Sequence, residues 1–402
     1  IEYLESALIK LLFQFYNLDK NNFLFHGITG TNGKTSTAFI AHQIICKLGK
    51  PSCYIGTLGA FVDMKFFPTK GNSTPGIFEL FKFLADHPFS EQAYIFLELS
   101  SHALDQNRLS SLVFTQTILL NIYSDHLDYH LTDKEYLKAK LAIMELPAKY
   151  PPIIHSDSMI VQSSLEAIQK KYKVNVLSSK DSSAPYFFKK FFNHPEPSKV
   201  SLQFPDFSMT QNVSLFPEFN VDNFACAIGL LSNSCSGSEL EALDCADLEL
   251  PSGRSEHLVC NQGHVFIDYA HDPAAMRNIL SALAVSYKEL ILIFGCGGER
   301  DRTKRPQMMK IAEEFSHEII FTSDNNRGEA FENIAGDAVG NRQIKNLSII
   351  KSRPDAIKQG LMSLHAKNIL VILGKGHEIT MEENRKTFPF NDREYILGNI
   401  ST

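Results

Sequence analysis

The segment "GITGTNGKTST", Gly27 to Thr37, is where the fold declares itself. It follows the apolar run "FLFH" and leads into "AFIAHQIIC", so a Gly-rich loop joins a strand to a helix. That is the context in which backbone N–H groups at a helix N-terminus hold phosphate. The amides of Gly30, Thr31, Asn32, Gly33 and Lys34 are expected to cradle phosphates, the Lys34 ammonium to reach the terminal ones, and the Thr35 hydroxyl to hold Mg2+. The spacing is not a strict G-x-x-x-x-G-K-[ST], because Ile28 stands where the first glycine belongs. A plain turn has no need of G-T-N-G-K-T, so the expected ligands are a nucleoside triphosphate and Mg2+.

Outward from this loop, short β-rich runs recur, each ending in a polar or Gly-rich stretch. They include "AYIFLELSSHAL", "TQTILLNIYSDH", "VFIDYAHDPAA", "LILIFGCGGERD", "EIIFTSDNNR" and "ILVILGKGHE". Strands alternating with helical patterns predict an α/β fold with parallel sheets. Ligands then bind beyond the carboxyl ends of the strands, where these loops gather. The cluster Asp324, Asn325, Asn326, Arg327 sits at such an end; its plain reading is a solvated turn.

A chain of 402 residues exceeds what one core usually supports, so two or three domains are expected. The α/β rhythm breaks between Lys199 and Phe219. A boundary can fall there or at "LPSGRSE" (Leu250 to Glu256); the second is preferred, because "FNVDNFACAIGLL" reads as a helix completing the first domain. The expected division is 1–249, opening with a linker helix over 1–19, and 250–402. Apolar residues at 44% and charged ones at 21% indicate an ordinary soluble protein. With 39 Lys plus Arg against 45 Asp plus Glu, the net charge of -6 gives no reason to expect nucleic acid or an anionic membrane as partner. Seven cysteines without a C-x-x-C pair argue against a disulfide framework or thiolate zinc site and for a reducing, cytoplasmic setting. No apolar stretch approaches the ~18 residues of a membrane span. The start "IEYLESALIKLLFQFY" reads as an amphipathic helix rather than a signal peptide, and Ile1 in place of Met suits a chain cut from something longer.

Glu98 ends the run "YIFLE" and His126 follows "ILLNIYSD". In a parallel sheet both lie at strand ends beside the loop, where either can serve Mg2+. The histidine is more often structural, since magnesium prefers oxygen. Lys140, in the helix "DKEYLKAKLAIMEL", reads on spacing alone as a solvated helix lysine.

Taken together, "TGTNGKT", "ELSSHALDQNR", "DHLDYH" followed by "KAK", "DYAHDP", "FGCGGERDRTKRP", "SDNNR", "GKGHE" and the terminal "FNDRE" resemble the Mur ligase family in their order across nearly the whole chain. The nearest likeness is to the branch that adds the third amino acid of the peptidoglycan stem peptide. The resemblance implies a central P-loop ATPase domain followed by a C-terminal Rossmann-like domain. It also implies an ATP-dependent, ADP-forming ligation of meso-diaminopimelate to the D-glutamyl carboxylate of UDP-MurNAc-L-Ala-D-Glu through an acyl phosphate.

By resemblance, Gly30 to Ser36 together with Asn223, Arg254 and Asp268 attend ATP, with Tyr269 and His271 as weaker candidates. Thr35, Glu98 and His126 serve Mg2+, and Lys140 is carbamylated; Lys34, Lys140 and His126 are the catalytic set. Ser73, Thr74, Ser100, Gln106 and Arg108 meet the UDP-MurNAc-dipeptide. Arg300, Asp324, Asn325, Asn326, Arg327, Gly374 and Glu378 meet meso-diaminopimelate, with Arg327 as the clamp on its distal carboxylate. A monomer is expected.

Two departures stand out. Asn326 replaces the proline of the usual D-N-P-R. Too little chain precedes Gly30 for the family's small uridine-binding domain, so weak binding of the sugar nucleotide is expected. The alternatives are a lysine-adding or folylpolyglutamate-type sister ligase, a P-loop ATPase without ligase activity, and a binding module inactive on its own.

Overall fold

A computed structural model describes residues 2–123, 125–192 and 197–400. Contacts gather into two compact units, Ile1–Glu249 and Leu250–Thr402.

The first unit opens with α1 (Glu2–Phe15), β1 (Phe23–Thr29) and α2 (Lys34–Lys47). Then come β2 (Ser52–Gly56), β3 (Gly59–Val62), β4 (Lys65–Phe67), α3 (Ile77–Asp86), β5 (Ala93–Glu98) and α4 (Ser101–Asp105). Next are β6 (Gln116–Leu119), α5 (Leu127–His130), α6 (Asp133–Leu141), β7 (Ile153–His155), α7 (Met159–Lys171) and β8 (Asn175–Ser178). A meander of β9 (Tyr186–Phe191), β10 (Ser198–Gln203) and β11 (Ser208–Val213) leads to α8 (Phe219–Leu231) and α9 (Gly237–Glu241). These strands form one sheet in the order β11-β10-β9-β8-β7-β6-β1-β5-β2-β3-β4. From β9 to β2 all pairings are parallel, and antiparallel strands extend both edges. The break in rhythm near Lys199 is therefore an extension of this sheet.

β1 and β5, at the centre, are buried at every residue, as strands covered on both faces must be. α2 is buried from Thr35 to Ile45, because it packs on β1, β2 and β5 beneath α8. A core of Phe25, Ile55, Phe81, Ile95, Leu97, Phe114 and Ile143 fixes the strand ends that carry the loops.

The second unit carries β12 (Glu256–Cys260), β13 (Gly263–Asp268), α10 (Pro273–Ser286), β14 (Glu289–Phe294), α11 (Lys304–Phe315) and β15 (Glu318–Thr322). It continues with α12 (Phe331–Val339), β16 (Leu347–Ile350), α13 (Arg353–Met362), β17 (Asn368–Leu373), the hairpin β18 (Thr380–Glu383) and β19 (Lys386–Pro389), and α14 (Asp392–Leu397). Its main sheet runs β12-β13-β17-β14-β15-β16, parallel except where β12 meets β13. The unbroken apolar runs of β14 and β17 pair centrally over Ile267, Ile293, Ile320, Ile357 and Ile372. The parallel strands β13, β14, β15 and β17 thus present their following loops on one edge, as Rossmann-like folds do. Among the described residues no helix is long and apolar enough to cross a membrane.

Candidate active site

In the first unit the loop Gly30–Gly33 turns from β1 into α2. Gly33 has φ +86, and a Cβ there would lie 2.5 Å from Asn223 Oδ1 of α8, so no other residue suits the position. Asn223 is held by Thr37 Oγ1, which donates to its Oδ1 at 3.3 Å, and itself donates to Asn220 at 2.9 Å. The segment after β6 grips the other side of the loop. Thr31 N–H donates to Asn121 O at 3.1 Å, Asn32 N–H to Asn121 Oδ1 at 2.9 Å, and Tyr123 N–H to Thr31 Oγ1 at 3.0 Å. The amides of Thr31 and Asn32 are thus engaged with Asn121. The cradle narrows to the first turn of α2, whose N–H groups have no carbonyl four residues back. Thr35 and Ser36 are buried in that turn.

Two amines converge here. Lys34 Nζ donates to Gly30 O at 2.8 Å and Thr31 O at 2.9 Å; Lys140 Nζ donates to the same Gly30 O at 2.8 Å and to Thr29 Oγ1 at 3.1 Å. Lys140 is 1% exposed, which corrects the reading of a solvated helix lysine. Desolvation, then repulsion from Lys34, drives its pKa well below that of an ordinary lysine, against the pull of Asp125 and Glu98. A neutral amine is nucleophilic and can take up CO2 as a carbamate.

Glu98, fully buried at the end of β5, pairs in register with Ile28 two residues before the loop. Its Oε1 accepts from the Tyr54 hydroxyl and from Thr57 N–H at 3.0 Å, and its Oε2 from Thr57 Oγ1 at 3.0 Å. A carboxylate oxygen has two lone-pair sites, so Oε2 keeps one for a cation. His126 comes seven residues after the end of β6 at Leu119, in the following loop with φ +52. Its Nε2 is 3.4 Å from Asp125, and its side chain is 46% exposed. Desolvation lowers its pKa to about 4, with Asp125 opposing and Lys34 adding to the fall, so the imidazole is neutral at pH 7. Among the described residues no group of three or more His, Cys, Asp or Glu gathers as a metal cage. Mg2+ usually keeps waters and phosphate oxygens beside one or two carboxylates, so Glu98 with the Thr35 hydroxyl suits it.

Beside Glu98, Thr74 Oγ1 donates to Glu98 O at 2.8 Å and accepts from Ser100 N–H at 2.9 Å, while Ser73 Oγ lies 2.9 Å from Thr57 Oγ1. Arg108 donates to Thr74 O at 3.0 Å and to the exposed Gln106 at 2.9 Å. The five residues assigned to the sugar-peptide by resemblance therefore form one patch.

In the second unit, Asp268 at the end of β13 accepts from Ser255 N–H at 2.6 Å and Ala270 N–H at 2.8 Å, and burial raises its pKa. The Arg254 guanidinium stacks on Tyr269 at 4.5 Å. His271 Nδ1 lies 3.0 Å from Tyr269 O. The loops after β15 and β17 meet. Gly374 has φ +110, and a Cβ there would collide with the Asp324 carboxylate. Asn325 Nδ2 donates to Glu378 Oε2 at 2.8 Å, and Asn325 Oδ1 accepts from Glu382 N–H at 3.0 Å. Lys375, with a side chain 0% exposed, donates to Glu378 Oε2 at 2.8 Å and Thr380 O at 2.6 Å. Arg327 has φ +53. The β18–β19 hairpin holds that strained residue: its N–H donates to Glu382 O at 3.1 Å and its carbonyl accepts from Arg385 N–H at 3.0 Å. Its Nη1 donates to Gly298 O at 2.6 Å. Asn326 is 1% exposed and donates to Ser323 Oγ at 3.1 Å, while its Oδ1 is buried without a partner. Arg300 is exposed at the end of the β14 loop.

Residues 28–231 match the model of the Mur ligase middle domain, and residues 253–376 match that of the Mur ligase, glutamate ligase domain. The chain belongs to the Mur ligase family.

Among its relatives is the UDP-N-acetylmuramoyl-L-alanyl-D-glutamate--2,6-diaminopimelate ligase of Buchnera aphidicola subsp. Baizongia pistaciae, 34% identical over 98% of this chain and 79% of the relative. The enzyme of the same name from Wigglesworthia glossinidia brevipalpis is 33% identical over 93% of this chain and 76% of the relative. A solved structure of a UDP-N-acetylmuramoyl-L-alanyl-D-glutamate--2,6-diaminopimelate ligase superposes with a TM-score of 0.66 at 27% identity, covering 96% of this chain and 80% of the other. The folylpolyglutamate synthase of Mycobacterium tuberculosis, solved with ADP and AMPPCP, reaches 0.69 at 17% identity over 92% of each chain, a likeness of fold alone.

Residue reading missed several parts of this Mur ligase. Asn121, Tyr123, Tyr54 and Thr57 hold the loop and Glu98 without any motif of their own; their signal was a place just past, or within, a strand next to β1 or β5. Lys375 stands inside "GKGHE", and nothing in that motif marks its lysine as the partner of Glu378.

Proposed function

We propose that the chain is an ATP-dependent, ADP-forming ligase that adds meso-diaminopimelate to the D-glutamyl carboxylate of UDP-MurNAc-L-Ala-D-Glu in peptidoglycan synthesis. The observation that carries the reading is the convergence of Lys34 and Lys140 on the Gly30 carbonyl at the mouth of a phosphate loop. Two amines on one carbonyl make a site that favours anions. The choice of peptide and amino acid is supported by relatives at 34% and 33% identity whose names specify 2,6-diaminopimelate.

In this reading the D-glutamyl carboxylate, held by Ser73, Thr74, Ser100, Gln106 and Arg108, attacks the γ-phosphorus of ATP, giving an acyl phosphate and ADP. The amine of the second substrate then attacks the acyl carbon and loses a proton, and phosphate leaves. The first-turn amides of α2 and Lys34 stabilise the charge that builds on the transferred phosphoryl group. Mg2+, held by Thr35 and Glu98 with His126 nearby, supplies further neutralisation of phosphate charge when bound. Carbamylation gives the Lys140 amine a negative charge, which suits it to orient that metal. Asn223, Arg254 and Asp268 attend the nucleotide. Arg300, Asp324, Asn325, Asn326, Arg327, Gly374 and Glu378 hold the amino acid, Arg327 by its distal carboxylate and the acids by its distal ammonium. Gly298 O occupies Arg327 Nη1, which leaves Nε and Nη2 to meet the distal carboxylate side-on, and each charge-assisted bond lost with lysine is expected to cost about 1.5–3 kcal/mol. A cytoplasmic monomer suits substrates of this kind.

The test is ligation measured with meso-diaminopimelate and L-lysine side by side, with and without the peptide acceptor. ATP-dependent product with meso-diaminopimelate, preferred over lysine, is expected. Preference for lysine would overturn the amino-acid assignment, and ADP release indifferent to the acceptor would overturn the ligase.

A further inference from the structure

Arg353, the first residue of α13, turns its side chain into the second unit, where neither it nor Asp392 is exposed at all. The pair is bidentate: Nε donates to Asp392 Oδ1 at 2.7 Å and Nη2 to Asp392 Oδ2 at 2.6 Å. The guanidinium also donates from Nη1 to Ser323 O at 3.3 Å and from Nη2 to Leu373 O at 3.1 Å. Those two carbonyls immediately precede Asp324 and Gly374, the residues at which the two pocket loops begin. β15 and β17 are not neighbours, because β14 runs between them. One planar cation therefore spans the strand ends on which both halves of the pocket stand.

Stability alone does not call for such a pair, since well-packed apolar residues of similar volume often serve a fold as well or better. A guanidinium offers what they cannot, donors fixed in one plane at set angles. We infer that Arg353, oriented by Asp392, is a positioning residue for the amino-acid pocket: it sets the distance between the 324–327 and 374–378 loops and so the length of diamino acid the pocket accepts. The inference rests on reading those loops as the amino-acid site.

The test uses the full chain and two variants, Arg353→Lys, which keeps the charge but loses the fork, and the double variant Arg353→Met/Asp392→Leu, which removes both charges and fills the space. Each is expected to raise the KM for meso-diaminopimelate about 10-fold while the KM for ATP and for the peptide stays within about two-fold of the parent. Hydrogen exchange should quicken in both loops of the double variant together. Unchanged KM values in a folded variant, or equal rises for all three substrates, would overturn the inference. Should the parent enzyme not use meso-diaminopimelate, the proposed function falls and exchange decides alone: coupled loss of protection in 324–327 and 374–378 supports the clamp, and unchanged protection refutes it. If the double variant does not fold, Arg353→Lys carries the same comparison.

Discussion

Lys375 and Asn325 together occupy Glu378 Oε2, which leaves Oε1, 3.5 Å from the Tyr269 hydroxyl, with capacity for a further donor. Lys375→Met would strip the half-buried Glu378 carboxylate of its cation, so the KM for the amino acid is expected to rise at least about 10-fold with that for ATP within about two-fold; steady-state kinetics with each substrate varied in turn checks this. For Lys140, Lys140→Ala is expected to abolish ligation and acetate or formate to restore part of it, whereas full activity in the plain variant would end the carbamate proposal. Lys140 also shows where residue reading runs out. Its helix places Lys134 and Lys138 outward, and nothing in "DKEYLKAKL" tells which lysine points at the loop, because that depends on how the helix docks. Asn326 is the converse case: its departure from proline was legible, but the buried, unpartnered Oδ1 was not.

The loop and its helix form the element on which nucleotide binding turns. Gly33→Ala would force a Cβ into the left-handed region at about 1–2 kcal/mol and drive it onto Asn223, so ATP affinity is expected to fall at least about 10-fold, read by titration with a non-hydrolysable analogue. α11 and α12 are joined by a second device, in which Arg305, 1% exposed, donates to both oxygens of Glu329 at 2.8 and 2.7 Å and to Asp337 at 2.7 Å. Those bonds, chiefly Arg305 to Glu329 and against a burial penalty, hold the Glu329 pKa down at about 2 from an ordinary 4.5. A depressed carboxylate contributes stability that is full above its unfolded pKa and lost as pH falls through the folded one. The thermal midpoint of the second unit should therefore exceed that of Glu329→Gln above pH 5, and the gap should close between about pH 4.5 and 2; a gap constant with pH would refute the assignment. At this scale much was readable, since unbroken apolar runs bounded by polar loops marked β1, β5, β14, β15 and β17 as buried parallel strands. The meander β9–β11 was not, because alternation such as that of "SMTQNV", exposed and buried by turns, fixes a half-covered strand but not the sheet it joins.

As a molecule, the chain sets two α/β units in series, with the proposed phosphate loop and peptide patch on the first and the proposed amino-acid pocket on the second. If they perform one reaction, ADP should appear only when both the peptide acceptor and ATP are present, and amide product only when the amino acid is added; steady ADP release by the protein with ATP alone would contradict it. Two-unit organisation could be anticipated from length and from the break at Pro251 and Gly253, whereas the Arg353–Asp392 link could not, because 39 residues separate the partners and neither stands in a recognisable pair. That link also bears on how the protein is made. A chain interrupted anywhere between Met362 and Asp392 already contains Arg353 but not its counter-charge, and an unpaired buried guanidinium costs about 3–5 kcal/mol. The second pocket is therefore complete only once Asp392 has been synthesised, and products truncated before it should be cleared as misfolded rather than persist as half-enzymes.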